Sequence, residues 1–228
     1  DEAAKRSEAV TRTINYFATS LLERDTEDDV LWDLAKNCIS QIGFADCVIY
    51  RLDRAQKILF QKAALGPKNP EGRVILNPIT VPLGKGIVGT VAATGRPELI
   101  ADTSCDPRYI VDDEVRFSEL AVPIIANGEV IGVIDSEHPS KNFFTPEHLQ
   151  MLTSVASLCA NKLVRIQAEQ KLRQSYQELE KRIADRTVEL RAANERLTRE
   201  VGDRTRAEKV QRALYVISEA VHGVDDLP

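Results

Sequence analysis

The chain has 228 residues, of which 43% are hydrophobic and 29% are charged, a length and composition that suit one or two domains with an ordinary core. Its formal net charge of −5 argues against general nucleic-acid binding, which favours a basic surface. No apolar run approaches the roughly 18–20 residues that span a bilayer, and we expect neither a membrane span nor a signal peptide in these residues.

Two helices are predicted at the N-terminal end. Residues 4–24 carry apolar side chains at helical spacing, so residues 1–25 are assigned to an N-terminal helix. Thr26 is the predicted N-cap of the next helix, because Asp29 lies three residues further on, as in a capping box. That second helix should bury one apolar stripe and end at Gly43.

Short β-branched and alternating segments then predict an antiparallel sheet. The last two strands form a hairpin across Asn127-Gly128, the strongest short hairpin signal. A helix is predicted over 86–94 and an irregular loop over 102–117. The fold class is therefore α+β, and the helices at the two ends of the domain should pack on one sheet face. Strands are predicted at 48–52, 57–63, 79–82, 98–101, 118–126 and 130–137.

A single long helix is predicted to begin at Thr145-Pro146-Glu147, with threonine as N-cap and proline at the first helical position. It contains no further proline, so it could extend on the order of 100 Å and needs a partner. Its heptad pattern, with a stutter at 185–187, favours a parallel homodimeric coiled coil. A lone helix with surface ion pairs is the alternative. The predicted seam comprises Leu172, Tyr176, Leu179, Ile183, Thr187, Leu190, Asn194, Leu197 and Val201.

One ordered series of segments resembles the core of the GAF domain family: Gly84-Lys85-Gly86-Ile87-Val88-Gly89, followed by 93–102, 118–124 and 130–137. The resemblance covers residues 26–163. It implies a GAF-like sheet and a sensory module of a bacterial-type signalling protein. Residues 164–212 then read as a signalling coiled coil and residues 213–228 as the start of a following domain. We expect an output domain outside this sequence.

The resemblance also implies a small-molecule pocket between the sheet and the loop 102–117. Asp135 and Glu137 share a strand face with Ile131 and Val133, so the two acids either face solvent or lie in that pocket. No metal or cofactor is expected, because the four cysteines and three histidines lack ligand spacing. Free thiols in the cytoplasm are the expectation. The candidate ligand-binding residues are Asp102, Cys105, Arg108, Tyr109, Glu119, Asp135 and Glu137.

One enzyme of the family, free methionine-(R)-sulfoxide reductase, is also similar to this chain. Its reactive thiols would fall near Val88 and Asp112, and neither position is a cysteine. Cys105 is offset from that pattern, and a lone thiol cannot complete disulfide chemistry. We therefore expect a sensor without enzymatic activity. The alternatives are a GAF domain that only dimerises and, last, a reductase-like enzyme.

Overall fold

The computed structural model of the protein describes the backbone of residues 11–12 and 14–222, and their side chains except those of 38 and 218–222. Its contacts divide the chain after Glu169 into two units. Within the described residues, no helix combines the length and the apolar character needed to cross a membrane. The helix predicted over 4–24 is described only in part: residues 14–20 are helical (α1), and a 3-10 turn, Leu21–Glu23, follows.

The predicted cap of the second helix is confirmed by its hydrogen bonds. Helix α2 (Glu27–Asp33) follows Thr26, whose Oγ1 accepts a hydrogen bond from the Asp29 backbone N–H at 3.1 Å. A π-helical stretch, Leu34–Cys38, continues the helix before α3 (Ile39–Ile42). Gly43 then ends it with a φ of 88°, a left-handed conformation that glycine adopts without strain.

The strands form one antiparallel sheet of order β3-β2-β1-β6-β5-β4, so the α+β prediction is confirmed. At the β5–β6 hairpin, Asn127 and Gly128 have φ values of 53° and 79°, as a turn with two left-handed residues requires. The strands are β1 (Cys47–Asp53), β2 (Ile58–Leu65), β3 (Thr80–Pro82), β4 (Glu98–Ile100), β5 (Ser118–Ala126) and β6 (Glu129–His138).

The sheet carries a separate apolar core on each face. The terminal helices α1, α2 and α5 (Pro146–His222) pack on one face, as predicted, in a core that includes Ile134. Helix α4 (Gly86–Thr94) packs on the other face, in a core that includes Val133. Because successive strand residues point to opposite faces, Asp135 and Glu137 lie on the α4 face with Val133.

Helix α5 changes character along its length. From Leu152 to Ile166 it contributes buried side chains to the core of the first unit. Beyond Glu169, the large apolar side chains of the predicted seam are between 52% (Leu179) and 63% (Val201) exposed. The helix continues through residue 222, and the remainder of the predicted 213–228 segment lies outside the described residues. The coiled coil itself stays a prediction.

Replacing Gly132 with alanine should destabilise the sheet, because the added Cβ would overlap the Tyr50 carbonyl oxygen on β1. We expect a loss of about 1–3 kcal/mol in the free energy of unfolding. Gly202→Ala is the matched control, since nothing lies within 4 Å of the Cβ added there. Urea unfolding followed by the fluorescence of Trp32, the single tryptophan, measures both variants. Equal losses would contradict the account.

Candidate functional site

Three carboxyl groups meet on the α4 face of the sheet, where β5 and β6 pair. Glu119 lies opposite Glu137 in the register, and Ala121 lies opposite Asp135. One carboxylate oxygen of each acid lies within 4.8 Å of the others. Glu119 and Asp135 are only 2% and 6% exposed. Like charges placed opposite each other on paired strands repel, so the cluster needs protons or a positive charge to neutralise it.

The electrostatics of the cluster favour bound protons when the site is empty. Burial, reinforced by neighbouring acids, raises the pKa of Glu119 and of Asp135, and raises that of Glu137 to about 9. Carboxylate oxygens of Glu119 and Asp135 lie within 4.8 Å of each other, so a proton on one of them relieves their repulsion. Asp135 Oδ1 is buried and accepts no hydrogen bond from the described residues. One acceptor therefore remains for a ligand.

The three acids line a small, partly enclosed cavity. The centre of a water molecule can move within a volume of about 20 Å³, so the cavity holds about one water. A larger ligand therefore requires movement of the surrounding loops. The other lining residues are mostly apolar and come from β1, from β3 and the residue before it, from α4 and from the loop over 102–117: Tyr50, Ile79, Val81, Gly86, Ile87, Val88, Ile110 and Asp112.

The irregular loop over 102–117, called the lid below, covers this cavity. Tyr109 Oη donates to Glu137 at 3.4 Å and accepts from the Arg116 backbone N–H at 2.9 Å. Ile110 rests on Gly86, where an added Cβ would lie 2.7 Å from Ile110 Cδ1. Arg108 fastens the lid to β4 through an ion pair of 2.6 Å with Glu98. The lid is thus held against both the cluster and the start of α4.

The structure divides the sequence-predicted site residues into two groups. Glu119, Asp135 and Glu137 line the cavity and Tyr109 reaches it, so the solvent-facing alternative for the acids is wrong. Asp102, Cys105 and Arg108 have partners away from the cavity lining. Asp102 pairs with Lys141 at 2.6 Å, the exposed Cys105 donates to Asp102 at 3.5 Å, and Arg108 pairs with Glu98 and Asp106.

Sequence reasoning missed a second set of buried polar residues around the cavity. Lys68 lies 2.6 Å from Asp112 of the lid, and Arg116 lies 3.1 Å from Asp46. Burial raises the pKa of Asp46 to about 6. These partners come from loops and strand ends separated by 44 or more residues in the sequence. Charged loop residues without periodicity carry no signal that would identify their partners.

The glycine pattern 84-86-89 has a structural explanation in the described residues. Gly84 and Gly86 have φ values of 80° and 66°, which only glycine adopts readily. At Gly89, an added Cβ would lie 2.5 Å from the Pro82 carbonyl oxygen. Tight turning and close packing of α4 against β3 therefore account for all three glycines.

Comparison with known proteins identifies a family whose model matches most of the first unit. A family model described as "GAF domain" matches residues 25–164, more than half of the chain. Protein YtsP of Bacillus subtilis is 33% identical over 96 residues, which cover 39% of this chain and 59% of that protein, less than two thirds of its length. A free methionine-R-sulfoxide reductase of Saccharomyces cerevisiae is 28% identical over 130 residues, covering 57% of this chain and 67% of the yeast protein.

A similar fold occurs in a solved structure, a free methionine-R-sulfoxide reductase of Neisseria meningitidis in complex with its substrate. The TM-score is 0.62 at 20% identity, and the match covers 74% of this chain and 94% of that one. The curated relatives of this chain include these enzymes, so the expectation of a sensor without enzymatic activity is wrong. The missing cysteines at Val88 and Asp112 were given too much weight, because loss of one thiol pattern does not separate the chain from enzymatic relatives.

The protonated cluster predicts a specific dependence of stability on pH. Glu137 ionises near its ordinary pKa of 4.5 when unfolded and near about 9 when folded, so between these values the folded state binds more protons. Stability should therefore fall as pH rises across this window and level off above it. Glu137→Gln, which cannot ionise, should flatten the fall in thermal unfolding measurements. Glu71→Gln, in an exposed loop, is the control. Identical slopes in wild type and Glu137→Gln would contradict the assignment.

Proposed function

The chain belongs to the GAF domain family, and we propose that it is a sensory module that binds a small ligand through a positively charged group. Occupancy of the pocket is relayed through a pair of long helices to an output domain outside this sequence. The observation that carries the proposal is the buried cluster of Glu119, Asp135 and Glu137, in which Asp135 Oδ1 accepts no hydrogen bond from any residue that the structure describes. A buried acceptor without a partner is costly, and a cationic donor removes that cost.

An ammonium group matches the cluster in charge and in geometry. It carries three N–H donors, and three carboxylate oxygens lie within 4.8 Å of one another. Free methionine-R-sulfoxide, named by the enzymes that resemble this chain, carries such an amine. A hard divalent cation, which prefers oxygen ligands, is a second source of positive charge. Both sources would displace protons from the cluster on binding.

A route from the pocket to helix α5 supports the relay. Strand β6 carries Asp135 and Glu137 and ends at His138, whose ring stacks on Phe143 at 3.5 Å between centroids. Phe143 in turn contacts His148 in the first turns of α5, with 5.8 Å between ring centroids. A change in β6 on ligand binding is therefore passed to the start of α5 through packed aromatic rings.

The exposed seam of α5 supports a second copy of the chain as its partner. Side chains such as Leu172, Ile183 and Leu197 are 57–61% exposed on the single helix. Burying this heptad row against an identical row removes the apolar surface from water. The parallel orientation follows from Asn194, an amide that pairs with itself across the seam only when the two helices are in register.

Reduction of a free amino-acid sulfoxide is the second candidate function. The observation that favours it is the similarity to free methionine-R-sulfoxide reductases in sequence and in fold. Cys105, the exposed thiol of the lid, is not among the cavity-lining residues and would need an added thiol reductant to complete the chemistry. The first candidate has the stronger site-level argument, because it rests on the residues that line the cavity.

Ligand binding tests the first candidate. Isothermal titration with L-methionine-R-sulfoxide, methylammonium chloride and magnesium chloride should give binding by at least one probe, with affinity rising from about pH 6 to about pH 9 as protons leave the cluster. Asp135→Asn combined with Glu137→Gln should weaken binding at least about tenfold, a change of about 1.4 kcal/mol. Thermal stability near pH 7 should be maintained, because burial raises the pKa of both carboxyls and the neutral amides resemble their protonated forms.

The same titration separates the two candidates. Glu71→Gln, remote from the cavity, should bind as wild type does. If the protein converts methionine-R-sulfoxide to methionine in the presence of a thiol reductant, and Cys105→Ser abolishes this conversion, the reductase is favoured. Failure of all three probes, or equal binding by the double variant, would refute the cation site.

Cross-linking tests the parallel dimer. Asn194→Cys, in a chain whose four native cysteines are replaced by alanine, should form an intermolecular disulfide readily, because the two copies of residue 194 meet at the seam. Glu195→Cys, exposed and beside the seam, is the matched control and should cross-link poorly. Asn194→Leu should raise the melting temperature of the coil. A monomer at micromolar concentration in analytical ultracentrifugation would be incompatible with this proposal.

A further inference from the structure

A buried lysine stands beside the cavity and depends on the lid for its counter-charge. The side chain of Lys68, in the loop between β2 and β3, is only 3% exposed. Its Nζ donates to the carbonyl oxygens of Leu76 and Asn77 at 3.3 and 3.0 Å, both in the same loop. Carbonyl groups solvate the ammonium but carry no negative charge. The carboxylate 2.6 Å from Nζ belongs to Asp112, on the lid.

Asp112 is held in this place only in part. Gln61 donates to its Oδ2 at 2.5 Å, and the same amide group donates to Tyr50 Oη at 3.0 Å. Asp112 Oδ1, the oxygen nearest Lys68, accepts no hydrogen bond from the described residues. The Lys68–Asp112 contact is therefore an attraction between charges whose angles do not suit a hydrogen bond. A free carboxylate could approach the ammonium in a better orientation.

Ligand entry must disturb this pair. Asp112 lines the cavity, and the cavity has room for about one water, so a ligand reaches the acid cluster only if the lid moves. Movement of the lid takes Asp112 away from Lys68, because Asp112 is part of the lid. A buried ammonium without a counter-ion is strongly unfavourable. Another anion must then take the place of Asp112.

We propose that Lys68 is the anion-binding residue of the pocket and that Asp112 occupies it as an internal substitute until the carboxylate of a ligand displaces it. The proposal rests on the function proposed above, in which the acid cluster takes the ligand's positive group. Together the two sites select a small dipolar molecule, with its amine at Glu119, Asp135 and Glu137 and its carboxylate at Lys68. The Lys68–Asp112 pair also keeps the lid closed when no such molecule is present.

Chemical rescue tests the exchange without any knowledge of the natural ligand. Asp112→Ala removes the substitute carboxylate and leaves space for a small one. Its melting temperature should fall, and sodium acetate should restore it saturably, whereas acetamide at the same concentration and sodium chloride at the same ionic strength should not. Inorganic phosphate in place of acetate determines whether the site prefers a carboxylate or a phosphate. The double variant Asp112→Ala with Lys68→Met should show no rescue.

Specific outcomes would overturn the proposal. Absence of rescue in Asp112→Ala, or equal acetate effects on the single and double variants, would remove Lys68 as an anion site. If Asp112→Ala does not fold, Asp112→Asn replaces it, and hydrogen exchange should then speed up in both residues 66–78 and the lid. Unchanged exchange in these loops would refute the latch.

Rescue should persist when Asp135→Asn and Glu137→Gln are added, because acetate carries no amine. A failed cation site and a failed anion site are therefore distinguishable. Loss of rescue in that background would show that the anion effect belongs to the acid cluster and would contradict the assignment to Lys68.

Discussion

Glu119, Asp135 and Glu137 repel one another in a part of the sheet that water scarcely reaches, and this repulsion has to be relieved by protons or by a bound cation. The antiparallel register causes this repulsion, because it places Glu119 directly opposite Glu137 on the paired strands β5 and β6. A fold that needed only stability would place apolar side chains here, as it does at Val133 on the same face. The presence of three acids in the cavity wall is why we regard the cluster as a binding site.

The surroundings of the cluster follow from the same constraint. The lid approaches through Tyr109, a neutral donor to Glu137, while the positive charges of Arg116 and Lys68 are paired with Asp46 and Asp112. The cavity therefore contains acids close to its centre and ion pairs at its edge. Such an arrangement favours a ligand with a positive centre, and the Lys68–Asp112 pair adds a place for a negative group. When the lid opens, the Lys68–Asp112 pair is replaced by the pairs that a ligand makes with Lys68 and with the acid cluster.

The sequence predicted the elements well because their signals are local. The Thr26 cap, the helix over 86–94 and the Asn127-Gly128 hairpin each depend on residues within a few positions of one another. The alternation of β6 showed that Asp135 and Glu137 share a face. It could not show that the face is closed by a lid, since that depends on a loop without periodicity. The spacing of apolar residues did not predict the π-helical stretch at Leu34–Cys38.

The pairing of distant loops was beyond sequence reasoning for the same reason. Lys68 and Asp112 lie in irregular segments 44 residues apart, and either could equally be a solvated surface charge. The expectation about catalysis failed differently: it rested on two absent thiols, whereas a curated reductase is similar to this chain over 57% of its length. The cavity-lining acids provide the firmer basis for function because their burial has an energetic consequence.

The measurement that tests this account most directly is a ¹³C NMR titration of the side-chain carboxyls of Glu119 and Glu137 in the unliganded protein. Glu137 should titrate with a pKa of about 9, far above its ordinary 4.5, and an amine ligand should lower this pKa. Titration of both carboxyls near their ordinary values would mean that the cluster is hydrated and ionised, and would contradict the claim that it awaits a cation.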